Sequence, residues 1–157
     1  MRESSSLLTD IATSGTIAAV ATTLATAICG RRENLSASAP MNAVSHIAWG
    51  DRAARQNDVT WQYTAVGASL NAAAVTSWAA VHELICESAA PERTALNAMT
   101  TGVAVAALAW ATDFGVVPDR LTPGFEKRLS NESLLAIYTV LALSLTAGRL
   151  IRRRETE

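Results

Sequence analysis

His46 and Asp113 are the two titratable residues whose positions in the sequence best suit chemistry. Asp113 follows 19 uncharged residues and is followed by a further apolar run. Ionisable groups at the edge of such a zone are costly, so they are candidates for proton transfer or ligand binding. A candidate functional polar cluster is predicted around them: Asn42, His46, Asp51, Asp113 and Arg120. The simpler alternative is that Asp113 closes one end of a helix bundle, paired with Arg120 or His46.

A secondary polar cluster comprises His82, Glu83 and Glu87, with Asn97 nearby in the predicted fold. His82 and Glu83 resemble part of a metal or proton-transfer site, but the remaining ligands are missing from the sequence. A polar pair at a helix end, near the membrane surface, is the simpler interpretation. Asn71 lies near the middle of an apolar segment, where an interhelical hydrogen bond is the expected role.

Motifs for the common catalytic chemistries are absent from the sequence. It contains no nucleophile elbow, phosphate-binding loop, HExxH, dinucleotide fingerprint or CxxC. We therefore predict no cofactor, no metal and no catalytic set. The net charge of −1 also gives no reason to expect a nucleic-acid partner.

The charged residues are confined to a small part of the chain. All 27 (13 Lys and Arg, 14 Asp and Glu) fall in 61 of the 157 positions. The other 96 positions form five uncharged windows, namely 11–30, 34–50, 59–82, 94–112 and 133–148. A soluble helical domain distributes charge over its outer faces, so this segregation predicts a small multi-spanning membrane protein. A soluble alanine-rich bundle is the alternative, but the windows lack the polar faces that it needs.

Four segments are long enough to cross a hydrocarbon core about 30 Å thick. The predicted fold is an all-α integral membrane four-helix bundle forming a single domain over residues 1–157. Its spans are about 11–29, 60–82, 95–115 and 133–151, and a short interfacial or re-entrant helix covers about 40–50. The fourth span reaches full length if Arg149 extends to the headgroups.

Small residues predict where these helices touch, because helices in lipid associate through close backbone approach. In the first span the predicted contact face is Gly15, Ala19, Thr23 and Ala27. The large apolar residues of the fourth span, from Leu134 to Leu145, surround the helix, which predicts a lipid-facing element. The segment PGFEKRL at 123–129 is predicted to form one amphipathic turn on the membrane surface, and Ser130 or Asn131 to cap the fourth helix.

The first span has a second interpretation. Its sequence ends in an A-x-A pattern at 25–27, which is typical of a cleaved signal peptide. The mixed charges of the preceding segment and the position of Asp10 beside the apolar run favour retention as a membrane helix.

Alternating spans divide the polar segments between two sides. Side A holds the N-terminus, the 83–93 loop and the C-terminal tail, and side B holds residues 30–59 and 116–132. Cys29 and Cys86 fall on opposite sides, so they are not expected to form a disulfide. His46 and His82 are similarly separated, by a helix about 33 Å long, so one haem iron could not bind both.

The two sides carry nearly equal numbers of basic residues, six on side A and seven on side B. The positive-inside rule therefore gives no decision on orientation. The Arg149, Arg152, Arg153 and Arg154 cluster favours both termini in the cytoplasm.

Residues 41–55 (MNAVSHIAWGDRAAR) and 113–130 (DFGVVPDRLTPGFEKRLS) resemble a group of small four-helix bacterial inner-membrane proteins to which no activity is attached. The similar positions are Asn42, Ser45-His46, Trp49-Gly50, Pro118 and Arg120 to Glu126. The resemblance implies four spans and a cytoplasmic-membrane location. Because both stretches lie on side B, we expect any functional site to lie there.

These observations lead to three functional hypotheses. The first is a non-catalytic accessory or structural membrane protein, whose partners are the lipid bilayer, other membrane proteins or copies of itself. The second is a membrane-embedded enzyme or proton-coupled site using His46 and Asp113. The third is a small transporter subunit that works as an oligomer, since four helices enclose little pore.

Overall fold

The computed structural model describes residues 2–89 and 94–156, with side chains for residues 6–89 and 94–152. Over these ranges the chain is helical and contains no strand, which confirms the predicted all-helical class. The helices are α1 (Arg2–Asn34), α2 (Ala39–Val44), α3 (His46–Trp49), α4 (Val66–Ala89), α5 (Ala95–Gly115) and α6 (Asn131–Thr156). Short 3-10 turns cover Ala53–Arg55 and Phe125–Lys127, and a π-helical turn at Trp61–Ala65 leads into α4. The side chains of Arg2, Arg93, Arg153 and Arg154, counted above on side A, lie outside the described ones.

Three helices in the described ranges are long and apolar enough to cross a membrane. They are Ser6–Asn34, Ala95–Gly115 and Asn131–Arg152. The fourth predicted span, 60–82, does not meet the same criterion. Its helix, α4, begins later than predicted and continues through Glu83 and Glu87, so polar residues lower its hydropathy.

The long helices pack as antiparallel neighbours. α1 lies against α4 and α6, and α5 lies against α6 and α4. Cross-helix contacts give the directions: Asn71 of α4 bonds to Thr23 of α1, and Arg152 of α6 bonds to Asp10 of α1. The first of these contacts is the interhelical hydrogen bond predicted for Asn71, with Nδ2 3.3 Å from Oγ1.

The contact face of α1 is displaced from the predicted one. Six of its buried positions recur every four residues, namely Asp10, Ser14, Ala18, Thr22, Thr26 and Gly30. Of the predicted face, Gly15 is buried, whereas Ala19, Thr23 and Ala27 are only partly covered. The predicted contact face is therefore displaced by one residue. The row that is buried instead contains hydroxyl and carboxylate side chains, and not alanines alone.

α6 is the most enclosed of the apolar helices, so the prediction of a lipid-facing element was wrong. Half of its most apolar window is buried, against 28% for α1 and 33% for α5. Leu134, Ile137, Leu141 and Leu145 point into the core, and Leu135 is one of the few large side chains left outside. The helix takes this position because it packs along both α1 and α5.

The predicted interfacial or re-entrant helix at about 40–50 is two short helices, of which α2 is packed inside the protein and α3 is partly exposed. All six residues of α2 are buried, and α3 follows after a break at Ser45. α2 begins at Ala39, after Ser38 and with proline in its first turn, as the sequence predicts. Gly67 of α4 lets α2 approach closely, since a Cβ there would lie 1.9 Å from the Met41 carbonyl oxygen.

The loop before α6, predicted as an amphipathic turn on the membrane surface, packs its apolar side chains inward against the protein. Phe125 and Leu129 are buried in a cluster with Met41 and Val44 of α2. Gly124 makes this possible, because its φ is +85° and a Cβ would lie 2.5 Å from the Ala43 carbonyl oxygen. Ser130 caps α6, with its Oγ accepting from the Ser133 amide at 3.3 Å.

Replacing Gly67 with alanine should destabilise the protein. The added methyl group collides with backbone, which cannot move aside without separating α2 from α4, so we expect a loss of about 2 kcal/mol or more. Denaturant titration in mixed micelles, followed by circular dichroism, measures the free energy of unfolding.

Gly115→Ala is the matched control, since among the described residues no heavy atom lies within 4 Å of a Cβ at that helical position. Its unfolding free energy should change by no more than about 0.5–1 kcal/mol. Equal losses in the two variants would contradict the close α2–α4 approach.

Candidate functional site

A buried ion pair joins α4 to α6 on side A. Arg149 Nη1 lies 2.7 Å from Glu83 Oε2, and the two side chains are 1% and 0% exposed. Ser14 of α1 donates its hydroxyl hydrogen to the other carboxylate oxygen, Oε1, at 2.6 Å. Gly148 leaves room for Ser14, since a Cβ there would lie 2.7 Å from the Ser14 Cα. Three helices are thereby connected through one carboxylate.

The prediction that Arg149 extends to the headgroups was therefore wrong. Its guanidinium turns inward, where it also contacts Glu87 Oε1 at 3.2 Å. A buried charge is tolerated only with a partner, and Glu83 supplies one. One signal in the sequence could have found this pair, since both residues are predicted on side A, each at the end of a span.

His82 is also fully buried, so it and Glu83 both lie in the interior of the protein. Its Nδ1 lies 3.5 Å from Glu83 Oε1, and its Nε2 lies 3.4 Å from the Ala98 carbonyl oxygen. Cys86 Sγ is 3.7 Å from the same Nε2. Within the described part of the chain no three His, Cys, Asp or Glu residues are grouped as a metal site would need. Cys86 and Cys29 are both free thiols.

The five residues of the candidate functional polar cluster all lie on side B, but each has its own partners. Asn42 donates to the carbonyl oxygens of Gln56 and Asp58, at 3.1 and 3.0 Å, and accepts from Thr64 Oγ1 at 2.6 Å. Its amide therefore fixes the 56–64 segment over α2.

His46 contacts two carbonyl oxygens. Its Nδ1 lies 2.9 Å from the Ala43 oxygen and its Nε2 lies 3.2 Å from the Asp119 oxygen. Both contacts are hydrogen bonds only when both ring nitrogens carry protons. The side chain is 2% exposed, so it connects α3 to the loop before α6 from a buried position.

Asp51 and Arg120 lie on the surface of side B. Asp51 pairs with Lys127 at 2.9 Å, and this ammonium group holds the pKa of the Asp51 carboxyl below its usual value. Arg120 donates from Nε to the Ile47 carbonyl oxygen at 3.1 Å. Neither residue is the partner of Asp113.

Asp113 accepts a hydrogen bond from the Tyr138 hydroxyl group. The alternative in which Asp113 pairs with Arg120 or His46 is therefore wrong. Its partner is Tyr138 of α6, a residue that the sequence analysis did not single out. Tyr138 also packs its ring edge-on against Trp110, with centroids 5.1 Å apart, and near Phe114 at 6.0 Å. Packing against these two rings holds the Tyr138 side chain in a position from which its hydroxyl group donates to Asp113.

Asp113 lies in the wall of a cavity of about 250 Å³ between α4, α5 and α6. Most of the wall is apolar, and its polar or aromatic groups besides Asp113 are Thr22, Asn71, Trp78, Phe125 and Tyr138. The α2–α3 segment and the loop before α6 close the side B end of the cavity through Val44, Ile47 and Phe125. Of the five predicted cluster residues, Asp113 is the one that lines it.

The two stretches that carry the sequence resemblance meet on side B. The loop before α6 contacts α2 and α3 through His46, Arg120 and the Asp51–Lys127 pair. Arg128 adds hydrogen bonds to Asn34, to the Ala54 carbonyl oxygen and to Asn57. These stretches form the closed end of the molecule.

Comparison of the chain with protein-family models, with curated proteins and with solved structures finds no match.

Breaking the buried ion pair should cost far more than breaking the exposed one. Glu83→Gln removes the buried carboxylate and leaves the Arg149 charge with the half-exposed Glu87 as its partner, so we expect a loss of about 3 kcal/mol in unfolding free energy. Lys127→Ala, which removes a pair largely open to solvent, should cost no more than about 1 kcal/mol.

The double variant Glu83→Gln/Arg149→Met distinguishes the stabilisation by the ion pair from the cost of burying an unpaired charge. It should be more stable than Glu83→Gln alone, because neither charge is then left in the interior. A double variant whose loss equals the sum of the losses of Glu83→Gln and Arg149→Met, each measured alone, would show that the pair is not coupled. Denaturant titration of all three variants provides the measurement.

Proposed function

We propose that the protein is a multi-pass protein of the bacterial inner membrane that acts without catalysis, as an accessory or structural component beside other membrane proteins or copies of itself. In this proposal α4 is a fourth span that completes a bundle with the three apolar helices. Partners bind through the outer faces of the helices.

The observation that carries the proposal is the distribution of polar and apolar side chains. Charged and polar residues of the long helices lie inside, among them Asp10, Ser14, His82, Glu83 and Arg149. Large apolar residues lie outside, and they are spread over the length of the helices: Val20, Leu24, Ile28, Leu96, Met99, Val103, Leu108, Leu135 and Leu143. Such an arrangement is unfavourable in water and suits lipid.

The non-catalytic part of the proposal rests on how the polar groups are used. The side chains of Asn42 and His46 contact backbone carbonyl oxygens, and Asn42 also accepts a hydrogen bond from one threonine. Glu83 is bonded to Arg149 and Ser14. Groups held in this way stabilise the arrangement of segments, which is what an accessory protein with a fixed shape requires.

The second candidate is a site for proton coupling or chemistry, whether in an enzyme or in an oligomeric transporter subunit. One observation favours it, namely the carboxyl group of Asp113 in the wall of a cavity. His46 is not joined to it by any hydrogen bond among the described residues, so such a site would rely on Asp113 and Tyr138.

Single-cysteine labelling tests the multi-pass arrangement. In a Cys29→Ala/Cys86→Ala background, Ser88→Cys on side A and Asp58→Cys on side B should react with a membrane-impermeant maleimide from opposite faces of sealed vesicles. Leu143→Cys, in the middle of α6, should stay unlabelled from both faces. Labelling of all three from one face would overturn membrane spanning.

The double variant His46→Ala/Asp113→Ala tests the accessory role. If it inserts at the wild-type level and restores a deletion strain to wild-type growth, the accessory proposal is supported. Normal insertion with loss of complementation would instead favour the second candidate, because only the polar groups have been removed.

A further inference from the structure

The cavity between α4, α5 and α6 is suited to one class of ligand. We propose that it binds a lipophilic organic cation, with the cationic group against the Asp113 carboxylate and the apolar part against the α4 side of the cavity. This binding role goes beyond the accessory function proposed above and requires no reaction.

The size and walls of the cavity suit a small aromatic or alkyl ammonium compound. Its volume of about 250 Å³ lies just below the range of about 300–1,000 Å³ typical of drug-sized ligands, so it suits a smaller molecule. Leu70, Ala74 and Val75 of α4 and Leu141 of α6 supply apolar surface. Trp78 also lines the cavity, and an indole face attracts cations.

The charges around the cavity favour a cation. Asp113 has no Lys, Arg or His partner among the described residues, and the nearby Glu126 carboxylate interacts with it electrostatically. Arg120, the nearest basic residue predicted from the sequence, is instead bonded to the Ile47 carbonyl oxygen. Acidic groups without a compensating cation attract a positively charged ligand.

The hydrogen bond from Tyr138 orients the site. Because the Tyr138 hydroxyl donates to Oδ2, the second oxygen of Asp113 stays available for a ligand. A single carboxylate in an apolar wall is a poor site for a bare metal ion, which needs several oxygen ligands. An organic cation needs one counter-charge and apolar contact, and the cavity offers both.

The cavity is reached from the side of the molecule. Ala74 on α4 and Leu121 in the loop before α6 both line it and are both exposed. In a membrane-embedded protein, this opening faces the acyl chains near side B. A ligand that partitions into the bilayer could therefore enter laterally.

Benzyltrimethylammonium and neopentylbenzene form a matched pair of probes, since they have the same shape and differ in charge. We expect the cation to bind the wild-type protein in nanodiscs, measured by equilibrium dialysis with empty nanodiscs subtracted. Asp113→Asn should weaken cation binding at least about tenfold, because it removes the charge opposite the ammonium group. The neutral probe should bind both proteins equally, which also shows that the cavity of the variant is intact.

Two further variants distinguish the contribution of the Asp113 charge from that of the cavity volume. Ala74→Phe should abolish binding of both probes by filling the cavity while leaving Asp113 in place. Asp51→Asn, which removes an exposed carboxylate on the same side, should leave cation binding unchanged.

Equal binding of the cation to the wild-type protein and to Asp113→Asn would overturn the proposal, as would no measurable binding to the wild-type protein. Tighter binding of neopentylbenzene than of the cation would also overturn it and would indicate an acyl chain as the occupant. Because none of these measurements depends on insertion topology or complementation, failure here is distinct from failure of the accessory role.

Discussion

The ion pair between Glu83 and Arg149 is the interaction on which the packing of the long helices depends. Two opposite charges are withdrawn from solvent at the junction of α4 and α6, and Ser14 of α1 bonds to the same carboxylate. Separating them would leave each charge in an apolar interior. The register of three helices is therefore set at one point, and the small Gly148 beside it permits the approach of α1.

The opposite end of the molecule is held by a different kind of interaction. There, side chains bond mainly to backbone: Asn42 and Arg128 to loop carbonyl oxygens, and His46 to the carbonyl oxygens of Ala43 and Asp119. Irregular segments need such partners, because their own backbone groups are not paired in helices. The rigid side B end then forms one boundary of the cavity, with Asp113 in its wall.

Local features of the fold were predictable from the sequence for local reasons. The proline-containing start of α2 and the Ser130 cap of α6 depend only on neighbouring residues. The one-residue error in the contact face of α1 has a different origin. Small residues occur on two adjacent rows of that helix, and only the partners' side chains decide which row faces inward. Ser14 belongs to the chosen row because Glu83 bonds to it.

The sequence by itself determined that the chain is helical, and it predicted that the polar segments divide between two sides, with His46 and His82 on opposite ones. These properties follow from the lengths of the uncharged runs, which fix distances along single helices. The tertiary structure alone decided the partners: Arg149 with Glu83, 66 positions away, and Asp113 with Tyr138. Pairing across helices depends on their rotation and order around one another, and the one-dimensional pattern of charges carries neither.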